Sequence, residues 1–214
     1  MGYILSNPGL VAEYFVEHLS LAVLALLIAG VVALPMAWIL FQNRKAASLV
    51  LGILGVLYTI PSIGMIILLI PVFGLNKGSV LVALVLYNQV LLVRNTLAGL
   101  ESVSPAVREA AVGMGMSRLR LAWEVELPLA LPVILAGVRI AAVVSISIAT
   151  VGAKFGSGGL GVLLFEGISQ SQPDKLWAGT IMITLLALGL FFGLKMLEEQ
   201  IISDSRTVMD PKTG

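Results

Sequence analysis

Few side chains in this sequence could do covalent chemistry. Its 214 residues include no cysteine and a single histidine, His18, which removes thiol nucleophiles, disulfides and Cys-ligated metals and further limits metal chemistry. No H-E-x-x-H is present, nor a G-x-x-x-x-G-K-[ST] loop that could cradle nucleotide phosphates. Gly156-Ser157-Gly158-Gly159-Leu160-Gly161 does satisfy G-x-G-x-x-G. It follows a long apolar stretch rather than a strand, with no βαβ unit around it, so it reads as a tight turn into a short helix, Val162 to about Ile168. Two groups of residues remain. Arg108 and Glu109 stand beside a nearly bare face made by Ala110 and Ala111, the composition of a helix that another surface can approach closely. Tyr58 beside Pro61, with Asn88, Gln89 and Arg139, are polar or kink-forming residues inside apolar stretches. Such groups are costly against hydrocarbon, so each either lines a passage or bonds to a neighbouring helix. The expectation from this inventory is no catalytic residue, metal or cofactor in the chain itself.

The elements that must hold these residues follow from composition. Hydrophobic residues make up 58% of the chain and charged residues 12%, against about 25% charged in ordinary globular domains. With a mean hydropathy of +1.03, the excess cannot be buried in one soluble core, so the chain sits in a bilayer. A net charge of +1 gives no case for nucleic acid. Leu19 to Asn43 is free of charge and reaches about 37 Å as a helix, enough to cross. Ala46 to Asn76 is also free of charge but too long for one upright helix, and Pro61 and Pro71 are placed to kink or end it, giving a bent span of roughly 49–73. Three further spans run over about 79–97, 133–153 and 176–194. The expectation is an all-α polytopic membrane protein with five transmembrane helices.

Five spans place the two ends of the chain on opposite sides, and the positive-inside rule chooses between them. With the N-terminus outside, Arg44, Lys45, Arg94, Arg108, Arg118, Arg120, Arg139, Lys195, Arg206 and Lys212 are cytoplasmic, ten of the thirteen cations, while Lys77, Lys154 and Lys175 face outward. Residues 1–18 contain no Lys or Arg, unlike a secretory signal, so the first span is expected to stay as an anchor. These residues form an interfacial segment with Glu13, Glu17 and His18 on its wet side. Residues 19–194 form the transmembrane domain, with the loop 98–131 on its cytoplasmic side, and 195–214 a polar cytoplasmic tail.

Between the third and fourth spans lies a polar loop, residues 98–131. Ser104 and Pro105 suit an N-cap and first turn, and Gly113 and Gly115 a stop. Ser117 then caps a second helix through Glu126, which Pro128 and Pro132 separate from the fourth span. Two short cytoplasmic helices result.

Glu109-Ala110-Ala111, Gly115, then Val125, Leu127 and Pro128 reproduce Glu-Ala-Ala, three residues, Gly, nine residues, Ile, one residue, Leu-Pro, with Val in place of Ile. This resembles the EAA loop of binding-protein-dependent ABC importer permeases of the type I fold. The resemblance implies that the loop is a coupling helix docked in a groove of a separate ATPase, with Arg108, Glu109, Ala110, Ala111, Gly115, Leu127 and Pro128 as its working residues. Tyr58-Thr59-Ile60-Pro61-Ser62-Ile63, Arg94-Asn95-Thr96 with Gly99, and the glycine run at 156–161 look like the osmoprotectant branch, which imports glycine betaine, carnitine and choline. That branch implies two ATP-binding subunits holding ATP and Mg, a second permease chain that is homologous or identical, an extracellular solute-binding protein and the plasma membrane of a prokaryote. A secondary transporter or channel competes with this reading, yet no acidic residue lies well inside a span, which argues against proton coupling.

Overall fold

The computed structural model describes residues 2–209, with side chains through Ile201. Lys212 and the Arg206 side chain, both counted in the charge balance, lie outside this described part. The described residues are helical, with no strand among them: α1 (Gly2–Ser6), α2 (Pro8–Phe41), α3 (Arg44–Thr59), α4 (Ser62–Phe73), α5 (Lys77–Ser102), α6 (Pro105–Gly113), α7 (Arg118–Leu121), a π-helical turn (Ala122–Glu126), α8 (Leu127–Gly152), a 3-10 turn (Ala153–Phe155), α9 (Gly161–Ser169) and α10 (Pro173–Met209). Four continuous helical stretches are long and apolar enough to cross a membrane, and α3 with α4 makes a fifth crossing only as a broken pair.

α5 is the central post. Along it Ser79, Val80, Ala83, Leu84, Tyr87, Val90, Val93, Thr96, Gly99 and Leu100 are all buried, against α2, α3, α4 and α8. α2 faces it with alanines at a four-residue spacing, Ala25, Ala29, Ala33 and Ala37, each fully buried. In lipid there is no hydrophobic force between helices, so small residues that let backbones meet take its place. The α5–α8 seam is closer still. A Cβ added at Gly137 would fall 2.3 Å from the Asn95 Cβ, and one at Gly99 would fall 2.8 Å from the Ala130 carbonyl oxygen. Gly99 and Asn95 of the sequence motif are therefore packing residues.

Three expectations are corrected. The second span is broken rather than bent: α3 and α4 meet at 97°. Ile60, which precedes Pro61, is driven into extended backbone (φ −65°, ψ 127°), as a residue before proline tends to be. Pro71 lies inside α4 and does not end it. The second loop helix is not separate from the fourth span: α7, the π turn and α8 run on without interruption. Pro128 lacks the N–H that an α-turn needs and would crowd the carbonyl four residues back. The helix widens instead, with the Leu127 N–H bonding to the Ala122 carbonyl in a five-residue step. Finally, residues 8–18 are the first turns of α2 rather than a separate interfacial helix, and His18 is buried, its Nε2 donating to the Ile146 carbonyl at 3.1 Å. At the other end of the chain, α10 carries straight through position 195 to Met209.

Glu17 and His18 meet the glycine run at one end of the bundle. The Gly159 N–H donates to the Glu17 carboxylate at 2.8 Å. A Cβ at Gly158 would sit 2.4 Å from the same oxygen and one at Gly159 3.1 Å from His18, so the glycines let this turn lie flat on α2. It leads into α9, as the sequence suggests.

Candidate functional site

The opposite end of the bundle carries the loop of residues 98–131. α6 starts at Pro105, and the Ser104 carbonyl receives the N–H groups of Val107 and Arg108. The Ser104 hydroxyl makes no capping bond. The far end of α6 closes as a Schellman motif: the Met116 N–H donates to the Ala111 carbonyl at 3.2 Å and the Gly115 N–H to the Val112 carbonyl at 2.9 Å, with Gly115 at φ +81°. The glycine of the motif is there because an L side chain is strained in that left-handed turn. Ser117 caps α7, its hydroxyl accepting from the Arg120 N–H at 3.3 Å.

Successive helical residues point about 100° apart, so the two alanines do different jobs. Ala111 is turned inward and buried, while Glu109 and Ala110 face out. Around them the surface is unusually apolar: Met114 is 72% exposed, Leu119 71% and Val112 59%. Leu127 and Pro128 are half-buried where the π turn enters α8. Arg108 points away from this surface. Its Nε donates to a Glu126 carboxylate oxygen at 2.7 Å, a terminal nitrogen donates to the Leu100 carbonyl, and the guanidinium lies 4.9 Å from the centre of the Phe41 ring. Glu126, which sequence reasoning used only as a helix end, is nearly buried at 8% side-chain exposure. No local signal marks that pairing, since its partners come from separate elements.

The intramembrane residues divide into two sets. Asn88 is fully buried and donates to the Ser145 hydroxyl at 2.9 Å, joining α5 to α8. Gln89 donates to the Ala29 carbonyl of α2 at 3.2 Å. Arg139 donates to Glu198 at 2.7 Å and lies 5.0 Å from the Phe191 ring centre, joining α8 to α10. These three are bonded to neighbouring helices. Tyr58 and Pro61 instead lie exposed at the α3–α4 break. Tyr58 meets Tyr87 edge-on, with ring centres 5.5 Å apart, and the Tyr87 hydroxyl donates to the Ile60 carbonyl that the break leaves free. Among the described residues, no group of three or more His, Asp or Glu side chains is placed to hold a metal.

The sequence profile of the family described as binding-protein-dependent transport system inner membrane component matches residues 20–203. The chain is 41% identical over 202 residues to the osmoprotectant import permease protein OsmW of Salmonella typhimurium, covering 92% of this chain and 94% of OsmW. It is 32% identical over 199 residues to the choline transport system permease protein OpuBB of Bacillus subtilis, covering 93% and 92%. With the carnitine transport permease protein OpuCB of Listeria monocytogenes it shares 35% over 185 residues, covering 86% and 85%. In three dimensions it is similar to a chain of the inward-facing MetNI methionine ABC transporter, with a TM-score of 0.82 at 19% identity, covering 90% of this chain and 96% of that one. At that identity the likeness establishes the type I importer permease fold alone. The chain belongs to the family of binding-protein-dependent ABC transport permeases and is one of its inner-membrane components.

Proposed function

We propose that this permease imports quaternary-amine osmoprotectants, of which glycine betaine, carnitine and choline are the representatives, by alternating access driven from a separate ATPase. The observation that carries the reading is α6. Its Glu109–Ala110 face and the apolar collar of Val112, Met114 and Leu119 stand open at one end of the bundle, in the form a groove on another subunit would accept. The names of the relatives, osmoprotectant, choline and carnitine permeases, support the substrate class.

Family membership implies ATP-binding and substrate-binding partners. In this reading, two ATP-binding subunits hold ATP and Mg, this chain contributes no catalytic group or cofactor, and a second permease chain completes the path. The α6 end here faces the cytoplasm and the N-terminus lies outside, the arrangement that the positive-inside rule favours. Closure of the ATPases draws the two coupling helices together and opens the spans outward, and hydrolysis reverses the motion. Such a cycle shifts a two-state equilibrium by differential contacts. Glu109, Ala110 and Gly115 form the docked face and its closing turn. At the exposed α3–α4 break, Tyr58 and Pro61 line the path and offer an aromatic face to a trimethylammonium group. Asn88, Gln89 and Arg139 brace the wall behind it.

Reconstitution in liposomes with the ATP-binding and solute-binding partners tests this. ATP-dependent uptake of labelled glycine betaine, carnitine or choline is the expected result. Uptake of none of them, or uptake that persists without ATP, overturns the proposal.

A further inference from the structure

Arg108 sits in the middle of the loop assigned to docking, yet its side chain serves the opposite face of the helix. The guanidinium gathers three separate elements: the Phe41 ring at the end of α2, the Leu100 carbonyl near the end of α5, and the Glu126 carboxylate in the π turn ahead of α8. α6 has little else to hold it, since Ala111 is its one buried residue. Glu126 needs the cation as much as the helix does, because a nearly buried carboxylate without a partner is strongly disfavoured. A lysine could not replace this arrangement, for only the planar fork of arginine can serve a carboxylate, a carbonyl and a ring face together.

We propose that Arg108 and Glu126 are positioning residues that carry the displacement of α6 into the spans, a strut that makes the coupling helix and the entry to α8 move as one body. The ATPase is gripped by the outward residues of α6, and the spans are moved by the inward one. The π turn gives the strut its anchor, since Glu126 is the last residue of that turn. This inference rests on the reading of α6 as the ATPase docking element, and the two fail separately.

The test uses the assembled importer and reads two quantities: the ATP-binding subunit retained on purification, and the solute taken up per ATP hydrolysed. R108Q and E126Q keep the Glu109–Ala110 face, so the ATP-binding subunit stays bound, while uptake per ATP falls on the order of tenfold. R108K restores a part of it by keeping the charge beside Glu126. Because the chain has no cysteine, R108C/E126C can be bridged by a short bifunctional maleimide, and bridging raises uptake per ATP above that of the unbridged pair. Where R108Q is lost from the membrane fraction, the bridged pair decides, since it replaces the tie instead of deleting it. The inference is overturned if R108Q and E126Q transport within twofold of the unsubstituted chain per ATP, or if bridging abolishes uptake, which would mean that the two elements must part during the cycle. Failure of the unsubstituted chain to retain any ATP-binding subunit would sink the docking reading itself.

Discussion

The α5–α8 seam and the α6 end of the same bundle are held by opposite means. The seam has its side chains reduced to hydrogen at Gly99 and Gly137, so that backbone and side-chain atoms meet with no room for a Cβ. Asn88 and Ser145 bond to each other across it, both fully buried. α6 buries a single alanine and hangs from a charged group shared among three other elements. Close packing fixes one arrangement and resists any other, whereas a few polar ties leave a surface free for a partner. The α5–α8 seam is built to stay closed, while the α6 end leaves its outer face open.

The sharpest way to break the contrast is at the seam. Gly137→Leu forces a side chain into the place of Asn95, and overpacking of this kind costs about 3 kcal/mol or more where nothing can move. The expected outcome is loss of the folded permease from detergent extracts, read by size-exclusion chromatography and thermal unfolding. At the loop, Gly115→Val puts a β-branched residue in the left-handed turn at a local cost of about 1–2 kcal/mol. The bundle stays folded, but less ATP-binding subunit is retained and ATP-dependent uptake falls several-fold. Asn88→Ala is milder than its burial suggests. The Ser145 hydroxyl keeps its bond to the Ala141 carbonyl at 2.9 Å, and polar contacts between membrane helices average about 0.6 kcal/mol, so the unfolding midpoint should drop by only a few degrees. Smallest of all is Arg120→Ala. Its ion pair with Glu124 is exposed on both sides and worth at most about 0.5 kcal/mol, so stability and transport should both match the parent chain. A larger loss of transport would enlist Arg120 in docking and extend the gripped surface beyond α6.

The sequence made the two halves legible to different depths. Runs without charge locate the crossings because hydrocarbon tolerates so few ionised groups, and Gly115 announces its turn because few other residues accept that backbone. Pro61 predicts a kink, but the donor that serves the freed Ile60 carbonyl comes from Tyr87, on α5. Pro128 reads as a stop only if the helix before it keeps α spacing, and the π turn removes that premise. His18 misleads for a related reason: its acceptor is 128 residues away, so a polar residue at the edge of an apolar run looks wet until α8 is packed beside it. Arg108 and Glu126 share the difficulty. Each is an unremarkable surface charge until the chain folds, and their meaning lies in which helix ends converge.

One consequence of the severed second crossing concerns flexing. An unbroken rod must give up ladder bonds to bend sharply, but here the ladder is already interrupted between Thr59 and Ser62, and the orphaned oxygen is looked after by a phenol on another rod. Swivelling the short arm against the long one therefore sacrifices no bond within either, so this is the crossing whose shape can change most cheaply.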